Sequence, residues 1–303
     1  MSENGKLCGA KCEADAILGI HPSIREVREA IERVAPTTQA VLLCGETGTG
    51  KKLVASTIHA ASPRARGPFV ELRCDGLGER FLASELFGQK PRNGDGATGH
   101  REGRLREAHG GTLFLSDVAE IPPRIQGEIL DFLERGAFEP AGGGEAIRAD
   151  ARLIAATERD LRHELATGRL REDLLHRLDA VRIEIPALRE RSSDVPLLAA
   201  AFLARSAERR GLLVEGFAPD ALDMLLSHPW PGNVRELEIA IPGSTLAEIE
   251  RVAILRTLEA VAGSTSRAAS VLGISTRKIQ YRVREYRERG RLGAGLDSPR
   301  RAD

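Results

Sequence analysis

The first 186 residues alternate between short apolar runs and stretches with apolar residues at helical spacing. Ile24, Val27, Ile31 and Val34 follow one face of a helix, so a helix is predicted there. Strands that alternate with helices predict an α/β fold built on a mostly parallel sheet. Five apolar runs have the length and composition of buried strands: "AVLLC" at 40–44, Phe69–Leu72, Thr112–Leu115, Leu153–Ala156 and Val181–Ile185.

The pattern changes after residue 195, where the strands stop. Residues 196–240 have the pattern of short helices around a Trp-Pro-Gly turn, and from Leu246 onward the pattern is helical throughout. These changes predict five regions in chain order: a leader (1–17), an α/β domain (18–186), a helical domain with a short linker (187–244), a second helical module (245–291) and a flexible tail (292–303).

Composition changes this picture little, but the charge is unevenly placed. Of the 303 residues, 42% are hydrophobic and 29% are charged, which is ordinary for a folded protein. No apolar run approaches the roughly 18 residues of a membrane span, and the start has no secretory signal, so we expect a cytoplasmic protein with no membrane contact. From Thr245 to the end there are 12 Lys and Arg against 7 Asp and Glu, whereas the first 244 residues have 32 against 37. A basic C-terminal module behind an acidic body indicates a polyanionic partner.

A glycine-rich stretch, "GETGTGKK", joins the first predicted strand to a helix. Its G-x-x-x-x-G-K spacing is that of a P-loop, in which backbone N–H groups and a helix start surround a phosphate. The alternative is a tight turn without a ligand. The position after the P-loop lysine usually has a hydroxyl that holds Mg²⁺, and Lys52 lacks it. The residues expected to contact ATP are Gly45, Glu46, Thr47, Gly48, Thr49, Gly50, Lys51 and Lys52.

The third predicted strand ends in a polar pair, Ser116-Asp117. In open α/β sheets, ligands bind at the carboxyl ends of the strands. A site that hydrolyses nucleotides needs two carboxylates here, one for the metal and one for the attacking water, and this chain has one hydroxyl and one carboxylate. We therefore expect Asp117 to be catalytic, and Ser116 with Asp117 to form a weak Mg²⁺ site.

A series of motifs resembles the AAA+ domain of sigma-54-dependent transcriptional activators, the bacterial enhancer-binding proteins. The motifs, in chain order, are "GETGTGK", "SPRARGPFVELRC", "SELFG", "GGTLFL", "IAATERDL", "LREDLLHRLD", "IPALRERSSDVPLL" and "HPWPGNVRELE". The C-terminal part resembles the Fis-type helix-turn-helix of such activators, and the two resemblances together cover about 270 residues. They imply an α/β AAA+ P-loop fold with a parallel sheet and a helical lid, followed by an all-α helix-turn-helix module.

The resemblance also implies roles for single residues. The P-loop glycines and Lys51 would bind the phosphates of ATP, and Arg235 would sense the γ-phosphate from within the subunit. Arg171 and Arg177 would reach the ATP of a neighbouring subunit as arginine fingers, which implies a homo-oligomeric ring, typically a hexamer. The alternative for these two arginines is a solvated helix face beside acidic residues such as Asp173.

The chain departs from the family pattern at positions that concern chemistry. The family has Asp-Glu where this chain has Ser116-Asp117, and it has asparagines near the γ-phosphate where this chain has Arg73 and Glu158. Arg73 and Glu158 would pair with each other or with Asp117. Two hypotheses follow. The first is an AAA+ ATPase that regulates sigma-54-dependent promoters. The second is a degenerate regulator, a repressor or mixed-ring subunit, that binds ATP, hydrolyses it poorly and does not remodel sigma-54.

The loop that contacts sigma-54 RNA polymerase in the family is also altered. The family motif Gly-Ala-Phe-Thr-Gly-Ala follows "ELFG", and here "ELFGQKPRNGDGATGH" retains Thr98 and Gly99 but not the Phe. A polar, glycine-rich tip cannot bury an aromatic anchor in a partner. We therefore expect weakened contact with sigma-54 RNA polymerase.

The C-terminal module is predicted to bind double-stranded DNA as a dimer. Thr245–Gly263 has the pattern of an amphipathic helix that starts with a capping box of Thr245 and Glu248 and packs either a dimer or the core of the module. Gly273 permits the tight turn and Ser275 caps the second helix. The alternative for the basic run that follows is a solvated helix face. The residues expected in the major groove of DNA are Thr276, Arg277, Lys278 and Gln280. Arg282, Arg284 and Arg287 are expected either at phosphates or in salt bridges with Glu285 and Glu288.

The link between the two helical regions is short. After "NVRELE" the family has a further lid helix and a linker, whereas here "IAIPGS" leads straight to the capping box. Either the last lid helix is truncated or the module docks on the lid, and both arrangements weaken the expectation of a ring.

Overall fold

The computed structural model describes residues 17–89, 102–141, 143–211 and 216–241, and most of the stretch 254–288. Within that last stretch it describes residues 254–255, 257–258, 261, 264–272 and 274–288. Several predictions lie outside the described residues: nearly all of the leader, the loop around Thr98 and Gly99, the capping box of Thr245 and Glu248, Gly273, the side chain of Arg287 and the tail.

A five-stranded parallel sheet forms the centre of the first part of the chain. Its strand order is β2-β3-β6-β1-β7, and every neighbouring pair is parallel. Two short strands form a separate antiparallel pair. All five predicted strands are confirmed, with ends that differ by at most one residue. The strands are β1 (Val41–Cys44), β2 (Phe69–Arg73), β3 (Thr112–Ser116), β4 (Ala137–Phe138), β5 (Ile147–Arg148), β6 (Arg152–Thr157) and β7 (Val181–Glu184).

Twelve helices are found in the part of the chain that the structure describes, and two short 3₁₀ turns, Val118–Glu120 and Leu188–Asp194, lie between them. None of these helices is long and apolar enough to cross a membrane. The helices are α1 (Pro22–Val34), α2 (Lys51–Ala60), α3 (Glu79–Phe87), α4 (Arg104–Glu107), α5 (Pro123–Arg135), α6 (Leu161–Ala166), α7 (Glu172–Leu178), α8 (Val195–Arg210), α9 (Pro219–Ser227), α10 (Asn233–Ala240), α11 (Thr265–Leu272) and α12 (Thr276–Glu288).

Both faces of the sheet are covered, because successive strand residues point to opposite sides. On one face, the predicted apolar stripe of α1 and residues of α2 pack against alternate strand residues such as Leu43, Phe114 and Ile154. On the other face, Leu42 and Leu115 pack against α3, α5 and α7. The strands therefore have continuous apolar runs, as the sequence shows, and their polar carboxyl ends open onto a single edge.

A buried arginine joins α1 to the sheet. Arg152, at the start of β6, is 2% exposed, and its guanidinium donates to the carbonyls of Val34 (2.9 Å), Ala35 (3.0 Å) and Gln39 (3.1 Å). The last carbonyls of a helix have no partner within the helix, so a donor from elsewhere must satisfy them when they are buried. Burial lowers the pKa of the Arg152 guanidinium.

The chain divides into two compact units: Met1–Leu198 with Phe217–Glu236, and Ala199–Gly216 with Leu237–Asp303. In the second unit, α11 and α12 enclose an apolar cluster that includes Ile254, Leu258 and Ile279. The Ser275 hydroxyl accepts a hydrogen bond from the N–H of Lys278 (3.3 Å), so the predicted cap of α12 is confirmed.

Candidate functional site

The glycine-rich loop lies between β1 and α2, at the carboxyl edge of the sheet. Gly48 and Gly50 have φ angles of 77° and 105°, which residues with a side chain rarely adopt. At Gly48 a Cβ atom would lie 2.2 Å from the carbonyl oxygen of Gly232, so no side chain fits between the two backbones. The loop therefore has the tight, glycine-dependent path that phosphate binding requires.

Lys51, the first residue of α2, turns back over this loop. Its Nζ donates to the carbonyl oxygens of Gly45 (2.7 Å) and Glu46 (3.0 Å). Burial lowers the pKa of the Lys51 ammonium, and the charges of Glu158 and Asp117 oppose that shift. A cation above a glycine loop at a helix start is a donor set that fits a polyphosphate.

The outer side of the loop is held by residues that sequence reasoning did not select. The Arg189 guanidinium binds both carboxylate oxygens of Glu46 (2.7 and 2.5 Å), and Nδ2 of Asn233 donates to Glu46 Oε2 (3.1 Å). The hydrogen bonds from Arg189 and Asn233 lower the pKa of Glu46 to about 2. Arg235, which was predicted, donates its backbone N–H to the carbonyl of Gly48 (3.2 Å). The signal missed in the sequence is the Gly-Asn pair before Arg235, which is typical of a left-handed turn.

A cavity of 130 Å³ lies beside the loop, and Thr47, Arg73, Asp75, Asp117 and Glu158 are among the residues that line it. The structure thus brings the predicted catalytic carboxylate close to the P-loop. Asp117 has a left-handed backbone (φ 59°, ψ 46°), and burial, with the nearby charge of Asp75, raises the pKa of its carboxyl group. A carboxyl pKa raised by burial is typical of acidic residues in enzyme clefts.

The ion pairs around this cavity differ from the expected ones. Arg73 binds Asp75 through two hydrogen bonds (3.1 and 2.7 Å), so the expectation that Arg73 pairs with Glu158 or Asp117 is wrong. Arg73 pairs with Asp75 because this residue follows it by only two positions and accepts from the guanidinium with both carboxylate oxygens. Glu158 makes no hydrogen bond to any described residue, and its negative charge acts on Lys51.

The donors for a metal ion are few. Lys52, at the position where P-loops carry a hydroxyl, forms an ion pair with Glu71 of β2. The Ser116 hydroxyl is buried and has no hydrogen-bond partner among the described residues. No group of three or more His, Cys, Asp or Glu that could hold a metal occurs in the described part of the chain. Ser116 and Asp117 therefore fit only an ion that draws most of its ligands from phosphates and water.

Comparison with known proteins places the chain in a family. The family model described as "Sigma-54 interaction domain" matches residues 17–184, and the model described as "AAA+ ATPase lid domain" matches residues 189–270. The chain belongs to the sigma-54 interaction domain family. The lid match runs past Ser244, where the sequence predicts the end of the lid, so the predicted boundary at residue 245 stays a prediction.

Two relatives in this family carry the names of regulatory proteins. "Transcriptional regulatory protein ZraR" of Escherichia coli (strain K12) is 41% identical over 295 residues, which cover 87% of this chain and 67% of the relative. "Nif-specific regulatory protein" of Azotobacter vinelandii is 39% identical over 305 residues, which cover 88% of this chain and 58% of the relative.

Among solved structures, NtrX from Brucella abortus in complex with ATP superposes with a TM-score of 0.68 at 32% identity, over 89% of this chain and 68% of that one. The AAA+ α/β fold with a helical lid, expected from the sequence, is thereby confirmed.

The two predicted arginine fingers lie elsewhere on the sigma-54 interaction domain. Arg171 and Arg177 are exposed and bind Asp173 (2.7 Å) and Glu134 (3.3 Å) respectively. Neither is among the described residues that line the cavity. The amide of Gln126, which is fully buried, accepts from the N–H of Arg171 (2.8 Å) and fixes the start of α7. In a single chain these arginines therefore pair with surface acids, and their role as fingers stays a prediction.

The residues predicted to contact DNA lie on α12. Arg277, Lys278, Gln280 and Arg284 are exposed, and Thr276 and Arg282 are half-buried. Ile279 is fully buried in the cluster beneath them, so α12 is amphipathic.

Proposed function

We propose that this chain is an ATP-binding regulator of sigma-54-dependent transcription. The observation that carries the proposal is the ammonium of Lys51 above the carbonyls of Gly45 and Glu46, at the carboxyl edge of a parallel sheet. That arrangement suits the phosphates of a nucleotide. The similarity to NtrX, solved with ATP, supports the adenine nucleotide, and the family supports sigma-54 RNA polymerase as the partner.

The residues divide the work of holding ATP. The N–H groups of the loop and Lys51 bind the phosphates, and Arg235, whose backbone is fixed to Gly48, extends an exposed side chain that senses the γ-phosphate. Mg²⁺ would neutralise phosphate charge, and Ser116 and Asp117 are the residues that would hold it.

Hydrolysis needs groups from more than one chain. Asp117 orients the attacking water or the metal, and Arg171 and Arg177 of a neighbouring copy neutralise developing charge. Both arginines are exposed, which is the placement that a homo-oligomeric ring requires of them.

A second candidate function is a regulator that binds ATP but hydrolyses it slowly. Three observations favour it: the Ser116 hydroxyl stands where a carboxylate would hold a metal, the only carboxylate of the pair has a raised pKa, and Lys52 is bound to Glu71. A repressor or a subunit of a mixed ring needs nucleotide binding and can lack turnover.

ATP turnover, measured with and without target DNA, separates the two candidates. The first candidate, an AAA+ ATPase, predicts that the wild type hydrolyses ATP. The degenerate regulator predicts little turnover by the wild type and a gain of at least about tenfold in the Ser116→Asp/Asp117→Glu double variant, because removing one charge-stabilising group typically costs that much or more. Lys51→Ala serves as the inactive control in both cases.

DNA binding through α12 is the second half of the proposal. The basic, exposed face of α12 supports a site for double-stranded DNA, used by a dimer. Two lysine variants test the halves separately. Lys51→Ala should abolish ATP binding and leave DNA affinity unchanged, whereas Lys278→Ala should weaken DNA binding and leave ATP affinity unchanged. The assignment of sites is refuted if Lys51→Ala still binds ATP and Lys278→Ala still binds DNA as the wild type does.

A further inference from the structure

Two carbonyl groups of the phosphate loop accept hydrogen bonds from residues outside the loop. The Thr47 carbonyl accepts from Nδ2 of Asn233 (3.0 Å), and the Gly48 carbonyl accepts from the backbone N–H of Arg235 (3.2 Å). A peptide group that points its carbonyl outward turns the N–H on its opposite side inward. The hydrogen bond to the Thr47 carbonyl therefore holds the peptide group that carries the N–H of Gly48, whereas the N–H of Thr49 donates to the carbonyl of Glu46 (3.4 Å).

Asn233 uses every polar atom of its side chain in this arrangement. It is 0% exposed and has a φ angle of 52°, a conformation that Asn tolerates better than most residues. Its Oδ1 accepts from the N–H of Leu188 (2.7 Å), and its Nδ2 donates both to Thr47 O and to Glu46 Oε2 (3.1 Å). A single buried amide thus ties the loop to the turn that begins at Leu188.

The same turn holds the loop by charge. Arg189, the next residue, binds both carboxylate oxygens of Glu46. The Glu46 carboxylate therefore accepts from two residues on two different segments, Arg189 and Asn233. Loss of the donor at position 233 would remove the part-buried hydrogen bond to the Thr47 carbonyl, and with it one of the bonds that hold the path of the loop.

We propose that Asn233 is a positioning residue for the phosphate site. Its amide holds the carbonyl of Thr47 and the carboxylate of Glu46 so that the loop presents its N–H groups to a polyphosphate chain. Asn233 acts through the loop and touches no phosphate itself. The inference rests on the proposed function, since it concerns the same site, and it assigns the effect to the phosphate chain rather than to the base.

The Asn233→Asp variant tests this assignment with little change in shape. The aspartate retains an acceptor for Leu188 but loses the donor to Thr47, and it places a second carboxylate beside Glu46. We expect affinity for ATP and for inorganic tripolyphosphate to fall about tenfold, which corresponds to the loss of one hydrogen bond. Affinity for adenosine, measured by ligand-observed NMR, should not change. A residue with only a general structural role would weaken all three ligands together.

An exchange of donor and acceptor provides the rescue. In the Glu46→Gln/Asn233→Asp double variant, the glutamine Nε2 donates to the aspartate, and the site again carries one carboxylate instead of two. One of the two hydrogen bonds from Arg189 is lost, because Glu46 Oε2 accepts from both Arg189 and Asn233. We expect tripolyphosphate affinity to recover at least about threefold over Asn233→Asp, and to remain below wild type because the Thr47 carbonyl still lacks its donor. Unchanged circular dichroism and DNA affinity serve as controls for folding.

If Asn233→Asp does not fold, Asn233→Gly replaces it, since glycine accepts the positive φ and introduces no carboxylate. Affinity for ATP and tripolyphosphate should then fall while adenosine affinity stays unchanged. Adding Glu46→Gln to Asn233→Gly should restore nothing, because glycine offers no side chain to accept from the glutamine. The inference is overturned if either variant binds tripolyphosphate within twofold of wild type, if adenosine affinity falls equally, or if the exchange gives no recovery. A wild type that binds neither ATP nor tripolyphosphate overturns the proposed function itself, and this inference with it.

Discussion

Single polar residues in the interior do much to define this structure, and Arg152 is the clearest of them. Its three hydrogen bonds go to carbonyls around the end of α1, and its pKa is lowered by burial. Sequence reasoning could not select it, because an arginine before an apolar run has the same pattern as a surface residue. The same holds for Asn233, whose partners lie about 45 residues or more away in sequence. Lys51 and Ser275 were predictable because their partners are neighbours in the chain.

Replacing Arg152 with Met should destabilise the protein by about 2–4 kcal/mol, because buried carbonyls lose their donors. The apolar stem is largely retained, so the loss reports the hydrogen bonds. Urea unfolding measures it. Arg148→Met, at an exposed position of β5, is the matched control and should change stability by less than about 0.5 kcal/mol. Equal stability of the two variants would contradict the role assigned to Arg152.

The Glu46 carboxylate predicts a pH dependence of stability. Its folded pKa of about 2 lies below the ordinary 4.5, so its pairing stabilises the fold above pH 4.5, and that stabilisation is lost as the pH falls towards 2. The side chain is 43% exposed, and solvent screening limits the effect to about 1 kcal/mol. The difference in unfolding free energy between wild type and Glu46→Gln should therefore shrink below pH 4.5. A difference that stays constant down to pH 3 would argue against this pairing.

At the scale of elements, the hydrophobic pattern predicted the five strands of the main sheet but not the shorter elements. The five main strands were predictable because burial on both faces demands unbroken apolar runs. The short β4–β5 pair and the 3₁₀ turn Leu188–Asp194 were not, because two-residue strands and turns carry no periodic signal. The hydrogen bonds of that turn to Asn233 and to Glu46 of the phosphate loop join residues far apart in the chain, so a local sequence pattern does not encode them.

The approach of the P-loop to the turn before α10 can be tested with two glycines. Gly48 and Gly76 both have positive φ angles (77° and 70°), but only Gly48 faces another backbone, whereas nothing lies within 4 Å of a Cβ at Gly76. Gly76→Ala should cost about 1 kcal/mol from backbone strain alone. Gly48→Ala should cost about 2–4 kcal/mol, because it also displaces Gly232. Urea unfolding measures the loss of stability in both variants. Equal losses would show that the backbone at Gly232 moves aside easily and that its approach to Gly48 adds no cost.

At the scale of the whole molecule, the uneven charge of the sequence has a structural counterpart in the exposed basic face of α12. The sequence predicted the basic run of this helix and its cap at Ser275, because both depend on residues that are neighbours in the chain. The boundary between the lid and this module, which the capping box of Thr245 and Glu248 predicts at residue 245, lies outside the described residues and stays a prediction.

The salt dependence of DNA binding should distinguish the two groups of residues on α12. Arg284→Ala, at a predicted phosphate contact, should lower the slope of log affinity against log salt concentration by roughly 0.9 and weaken binding to all sequences alike. Gln280→Ala, at a predicted base contact, should leave the slope unchanged and alter sequence preference. Fluorescence anisotropy at several salt concentrations provides both values, and identical slopes for Arg284→Ala and wild type would remove Arg284 from the interface.

The cap that Arg152 provides has a consequence for how the chain folds during synthesis. Arg152 lies 117 residues after Ala35, and both sheet neighbours of β1, namely β6 and β7, follow it by more than a hundred residues. During synthesis, α1 and β1 must therefore wait for distant partners before either is secured. Until then the nascent segment exposes an apolar strand and an open helix end, which are features that chaperones recognise. Helix α1 and strand β1 are thus synthesised before the residues that secure them.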